Sequence, residues 1–156
     1  MNILFVCTGN TCRSPMAEAI AWDHARQRGL EDVTVHSAGV GAADGSPATD
    51  GAVLVALERG LDLSGHRSRL LTPELLAEAD IVLAMGDGHA DRAAAMGARD
   101  KTYLLLEFAS RGQMQGGVTD PFGGDLATYR ATFNDLEQAV HQVFDRLVAE
   151  SRPGDT

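Results

Sequence analysis

The apolar run Ile3-Leu4-Phe5-Val6 passes through a polar loop, Cys7 to Ser14, into Pro15-Met16-Ala17-Glu18-Ala19-Ile20. Four consecutive apolar residues suit a strand covered on both faces, and the later segment has the composition of a helix's opening turns. A strand that feeds a helix in this way is the first half of a parallel crossover unit, and the rest of the chain keeps the alternation. Strand-like runs recur at 33–36, 81–84 and 103–106 after the first at 3–6. Helical periodicity marks 15–28, 49–59, 73–79, 88–96 and 126–149, with Gly29, Gly60 and Gly97 at or just past C-terminal ends. In the last helix Phe133, Leu136, Val140, Val143, Phe144 and Leu147 form one stripe at mostly three- and four-residue spacings, which is a core face. The pattern predicts an α/β fold: a single-domain open parallel β-sheet of about four strands with helices on both faces.

Length and composition agree with one domain. The 156 residues suffice to bury a core, with the domain expected over 1–150 and a disordered C-terminal tail over 151–156. With 44% hydrophobic and 22% charged residues the composition is that of an ordinary globular protein. A formal charge of −9 argues against nucleic acid as a partner, because phosphate backbones are bound by clustered Lys and Arg. The start carries no basic n-region and its apolar run is too short for a membrane span, so no membrane association and a cytoplasmic location are expected. In a reducing compartment two cysteines five residues apart point to catalysis or redox sensing rather than a structural staple. No metal is expected, since the five histidines lie at no ligand spacing. Four of them, His24, His36, His89 and His141, sit in no recognisable motif.

The loop after the first strand has the features of an oxyanion site. Open α/β sheets hold ligands at the carboxyl ends of their strands, where Cys7 stands, and backbone N–H groups from Thr8 to Arg13 can curl into a nest. The following helix adds the positive end of its dipole. Gly9 suits a bend with positive φ, and Asn10 is the non-glycine type most tolerant of that region. The phosphate-binding set is therefore Thr8, Gly9, Asn10, Thr11, Cys12, Arg13 and Ser14. The same field favours the thiolate of Cys7, a nucleophile at neutral pH. Arg13 can return across the loop to grip two phosphate oxygens through its planar fork. Ser14 can donate to the sulfur and also serve as N-cap, with Pro15 at the first helical position.

A phosphorylated cysteine needs a proton donor for the leaving group and then a base for the hydrolytic water, and one carboxyl can do both in turn. Asp120, set before Pro121 in a glycine-bracketed loop, is the candidate. Phe122 either flanks the pocket mouth, where it can stack on a planar substrate group, or plugs the core. Cys12 is either an inert buried thiol or a redox partner that shields Cys7 from over-oxidation as a disulfide.

These residues resemble the low-molecular-weight protein tyrosine phosphatases, with a Cys-x5-Arg-Ser loop near the N-terminus and an Asp-Pro acid near residue 120. The likeness covers nearly the whole chain. It implies that Cys7, Arg13 and Asp120 are catalytic and that Ser14 stabilises the thiolate. In that family a loop asparagine in left-handed conformation is held by a serine and a histidine, and Asn10, Ser37 and His66 match those three. Thr11 stands where tyrosine-specific members carry a bulky aliphatic residue, and Asp120-Pro121-Phe122-Gly123-Gly124 lacks their tyrosine after Asp-Pro. Both features look like the protein arginine phosphatase branch, which makes Thr11 and Phe122 the expected specificity residues. The resemblance thus implies a protein phosphatase with a phosphocysteine intermediate, no cofactor, phosphoarginine-bearing proteins as partners and inorganic phosphate as product. A tyrosine or aryl-phosphate phosphatase is the alternative. An arsenate reductase would need further cysteines, and a phosphocysteine carrier would gain nothing from a group that activates water.

Overall fold

The computed structural model describes residues 1–150; the expected tail at 151–156 lies outside the described residues. Four parallel strands form one sheet in the order β2-β1-β3-β4: β1 (Asn2–Cys7), β2 (Thr34–Gly39), β3 (Ile81–Ala84) and β4 (Thr102–Leu104). Among the described residues the α-helices are α1 (Arg13–Gln27), α2 (Asp50–Glu58), α3 (Pro73–Glu78), α4 (Asp87–Ala93), α5 (Leu105–Ala109) and α6 (Leu126–Glu150), with a π-helical turn (Ala94–Ala98) and a 3-10 turn (Arg99–Lys101) leading from α4 into β4. β1 pairs with β2 from Asn2↔Thr34 to Cys7↔Gly39 and with β3 from Ile3↔Ile81 to Val6↔Ala84. Because every strand runs the same way, the loops after β1, β2 and β3 emerge at one edge of the sheet.

Alternation along β1 divides its side chains between two cores. Ile3, Phe5 and Cys7 join Met16, Ile20, Phe133, Leu136, Val140 and Phe144 under α1 and α6. Leu4 and Val6 join Leu71, Leu76, Val82 and Ala93 beneath α3 and α4. Helices therefore cover both faces, as the uninterrupted apolar runs of the central strands require. Fully burying each of the larger of these side chains contributes roughly 1.5–3 kcal/mol, against the conformational entropy of ordering them. Among the described residues no helix is long and apolar enough to cross a membrane.

Three local expectations are corrected. The fourth strand stops at Leu104, and Leu105 and Leu106 open α5 instead of closing β4. The run Leu104-Leu105-Leu106 is continuous in hydrophobicity, but Leu105 and Phe108 bury together at a three-residue spacing, which is helical. Helix α1 starts at Arg13 with Cys12 in the capping position, so Ser14 is no N-cap and Pro15 is not the first helical residue. Gly9 does not take a positive φ; the left-handed residue of the loop is Asn10, at φ 56°. The terminal glycines Gly29, Gly60 and Gly97 do take positive φ, as helix ends of this kind require.

Candidate active site

The loop from Cys7 to Arg13 is held in shape from outside. The carbonyls of Cys7, Thr8, Thr11 and Cys12 accept from the backbone N–H groups of Val40, Gly41, Thr49 and Met16. The Asn10 carbonyl accepts from His66 Nε2 at 2.7 Å, so that ring nitrogen carries the proton. With the carbonyls turned outward, the loop's amides are left to face the bowl, which is the arrangement of an anion nest. Gly39 allows the loop to settle this low. A methyl there would run into the Thr8 carbonyl and lie 2.9 Å from Asn10 N.

Asn10 is fully buried and ties its loop to α1, to β2 and to the segment that carries His66 and Arg69. Its Nδ2 donates to Ser14 Oγ at 2.8 Å and Ser37 Oγ at 2.9 Å, and its Oδ1 accepts from Arg69 N at 3.0 Å. Ser37 in turn donates to Glu18 on α1. The consequence reaches the sulfur. Ser14 Oγ lies 2.8 Å from Cys7 Sγ and already accepts from Asn10, which leaves its own proton to donate to sulfur. Asn10 N donates to the same sulfur at 3.3 Å. Cys7 Sγ is thus buried with two donors aimed at it.

Arg13 and Asp120 close the site. Arg13 is almost fully buried, donates from one guanidinium nitrogen to the Val118 carbonyl at 3.0 Å, and has its other terminal nitrogen 3.7 Å from Asp120 Oδ2. Asp120 is half-exposed and its Oδ1 accepts from Phe122 N at 3.1 Å, the local turn that sets the carboxyl's direction. Val118 N donates to Met85 O at 2.7 Å, anchoring this loop to the end of β3. Gly117 makes the anchor possible, since a Cβ there would lie 2.8 Å from Met85 O.

The result is a pocket of about 230 Å³ lined by Cys7, Thr8, Gly9, Thr11, Cys12 and Arg13, with Asp120 and Phe122 opposite. Phe122 is 70% exposed, so it stands at the mouth and is no core plug. Cys12 Sγ lies 3.4 Å from Thr49 Oγ1 and 3.5 Å from Tyr129 Oη, while those two oxygens are 3.0 Å apart. Ser37 and His66 lie behind the loop, both in contact with Asn10. A larger groove, about 790 Å³, runs along α1 past Trp22 and contains no cysteine. Among the described residues no group of three or more His, Cys, Asp or Glu is placed to hold a metal ion.

Several participants escape the sequence reading. Glu18, Arg69, Thr49 and Tyr129 join the site through contacts between distant segments, and no local spacing reveals them. His89 is different. It lies in the first turn of α4, shortly after β3 and at the carboxyl end of the sheet, a segment to which the strand-end rule applied to every strand draws attention. Its Nε2 is 2.8 Å from Thr8 Oγ1, and burial together with the nearby Arg13 charge holds the imidazole below its ordinary value.

The family described as low molecular weight phosphotyrosine protein phosphatase matches residues 2–152. A protein-arginine-phosphatase of Bacillus subtilis is 43% identical over 97% of this chain and 100% of its own. The low molecular weight protein-tyrosine-phosphatase PtpB of Staphylococcus haemolyticus is 37% identical over 87% of this chain and 92% of its own. Among solved structures, the YwlE arginine phosphatase, as a Cys-to-Ser mutant with a phosphorylated active-site serine, superposes with a TM-score of 0.91 at 43% identity. That superposition covers 97% of this chain and 99% of the other.

Gly117→Ala tests the anchoring of the Asp120 loop. Overpacking against Met85 O disfavours the docked loop by roughly 1–3 kcal/mol, so amide exchange at Val118 should quicken by on the order of tenfold or more. Unchanged protection would show that the loop is held by other contacts.

Proposed function

The chain belongs to the low-molecular-weight phosphotyrosine protein phosphatase family, and we propose that within it this protein removes phosphate from arginine side chains of cytoplasmic proteins. The observation that carries the chemistry is the Cys7 sulfur, 2.8 Å from Ser14 Oγ and 3.3 Å from Asn10 N, at the floor of a pocket roofed by Asp120. The Cys7 thiolate attacks phosphorus in line while the bond from phosphorus to the departing nitrogen breaks. The loop amides and Arg13 take up the charge on the equatorial oxygens. Asp120 delivers its proton to the nitrogen as the P–N bond breaks, so the arginine side chain departs as a guanidinium and Asp120 is left as a carboxylate. In the second step Asp120, now a carboxylate, takes a proton from water whose oxygen attacks phosphocysteine. The S–P bond breaks, its electrons return to sulfur, and inorganic phosphate departs.

The preference for nitrogen rests on the pocket wall. A phosphoarginine side chain is planar and rich in N–H donors, and the protonated Asp120 carboxyl can accept one N–H on its carbonyl oxygen while its O–H is directed at the departing nitrogen. Thr11, in the wall, is short and carries a hydroxyl where a branched aliphatic group would fill space and offer no polar contact. Phe122 stands exposed at the mouth, where its ring can lie against a flat guanidinium. The greater identity to the arginine-phosphatase relative than to the tyrosine-phosphatase one supports the same reading. Cys12, facing the same pocket, is proposed to protect the nucleophile. When peroxide oxidises Cys7 to a sulfenic acid, the Cys12 thiol attacks that sulfur, water leaves and a disulfide forms.

Cys7→Ser should abolish turnover; retention of more than a few per cent would move the nucleophile elsewhere. Asp120→Asn should slow hydrolysis of a phosphoarginine peptide by roughly 10²–10⁴-fold. Read as kcat/KM, which reports only the steps up to formation of phosphocysteine, the loss on an aryl phosphate with an acidic phenol should be far smaller, because that leaving group departs without a proton. Equal losses on both would remove Asp120 as the acid. Thr11→Ile should lower kcat/KM for phosphoarginine by about tenfold or more while sparing the aryl phosphate, the size of effect one misplaced polar or branched group produces. Peroxide inactivation should be reversed by thiol in the natural protein and become permanent in Cys12→Ser. Equal recovery in both would remove the protective role.

A further inference from the structure

The site contains a buried histidine that the chemistry above does not use. His89 lies in the first turn of α4, just beyond β3, and is 9% exposed. Its Nε2 is 2.8 Å from Thr8 Oγ1, while Nδ1 is buried and has no hydrogen-bond partner. The charged groups it senses are Arg13 and Asp120, the two that close the pocket. Thr8 itself lines that pocket beside Cys7.

The orphaned nitrogen decides which way the proton runs. A proton on Nδ1 would leave a buried donor unsatisfied, whereas a proton on Nε2 leaves only a lone pair unpaired, which is the smaller penalty. Nε2–H therefore donates to Thr8 Oγ1. With that lone pair occupied, the Thr8 hydroxyl is no longer free to give its own proton to the imidazole and must direct it elsewhere. Thr8 lines the pocket, where a bound phosphoryl group would offer the hydroxyl an acceptor. Burial and the Arg13 charge hold the ring in its neutral form, so the direction of this bond is constant at neutral pH.

We propose that His89 is a positioning residue that fixes the Thr8 hydroxyl as a hydrogen-bond donor to the substrate's phosphoryl oxygens, adding a side-chain donor to the loop's amides. Thr8 is the group that touches substrate, and His89 acts through it. The pairing joins the loop after β1 to the helix after β3, across the point where the strand order reverses. Ligands bind at such a point in open α/β sheets.

The proposal rests on the phosphatase reading, so the natural protein is assayed first with an aryl phosphate. Turnover is then measured for His89→Leu, His89→Gln, Thr8→Val and the pair Thr8→Val/His89→Leu, together with competitive inhibition by inorganic phosphate. Thr8→Val and His89→Leu should each lower kcat/KM by on the order of tenfold, what one hydrogen bond to a charged group supplies, and weaken phosphate inhibition. His89→Gln, whose amide nitrogen can take the place of Nε2, should recover most of the loss. The double variant should be little worse than Thr8→Val alone. Additive losses in the double variant, a Gln variant no better than Leu, or a Thr8→Val enzyme of unchanged activity would each overturn the assignment. Should His89→Leu fail to fold, Thr8→Val and His89→Gln still decide it. Absence of any turnover in the natural protein would instead overturn the phosphatase reading, and this proposal with it.

Discussion

The site depends on the burial of one asparagine side chain in a left-handed residue. A non-glycine residue at positive φ costs about 1–2 kcal/mol, and a buried amide with missing partners costs more. Asn10 offsets both through its partners, because its Nδ2 and Oδ1 meet Ser14, Ser37 and Arg69 while its carbonyl meets His66. The backbone reversal turns its own N–H toward Cys7 Sγ, and the side chain occupies an acceptor position on Ser14 so that the serine proton is available to sulfur. One residue thus shapes the loop that lines the pocket and orients both donors toward the sulfur of Cys7, the proposed nucleophile. Such a network is strong only when complete, since each member left unpaired in a low dielectric is a penalty.

The sheet makes this arrangement affordable in space. β1 lies between β2 and β3, so the loop that follows it is flanked by the loops after both neighbours. From the β2 side, Gly39 lets the Thr8 carbonyl and Asn10 amide approach the backbone more closely than any side chain would permit. From the β3 side come His89 and the docking point for Val118, which brings Asp120 over Arg13. The proposed nucleophile Cys7, the loop around it and the proposed acid Asp120 are therefore fixed by contacts to three adjacent strand ends. This is the preorganisation that phosphoryl transfer, with its loosely bonded and charge-rich transition state, chiefly demands.

Most of this was legible in the sequence where the physics is local. Alternating apolar runs and helical stripes located all four strands, and Cys7, Arg13 and Ser14 follow from the character of a strand-to-helix turn. Local reasoning failed where two local preferences compete. Gly9 and Asn10 both tolerate positive φ, and only the partners awaiting the Asn10 amide select the second. Ser14 has the chemistry of a cap, but its hydroxyl is committed to Asn10 and Cys7. The Leu104–Leu106 run reads equally as strand or helix until Phe108 is seen to share a core with Leu105. Glu18, Arg69 and Tyr129 were illegible because their contacts span 19 to 117 residues of sequence.

The account joins a cysteine-based phosphatase to a pocket shaped for a guanidinium. The most direct test is kcat/KM of the natural protein on two peptides that differ only in carrying phosphoarginine or phosphotyrosine at one position. The account predicts a clear preference for phosphoarginine, by about tenfold or more, as expected when a site's polar groups are matched by one substrate and left unpaired by the other. A preference for phosphotyrosine would contradict the guanidinium pocket, while leaving the phosphocysteine chemistry of Cys7, Arg13 and Asp120 in place.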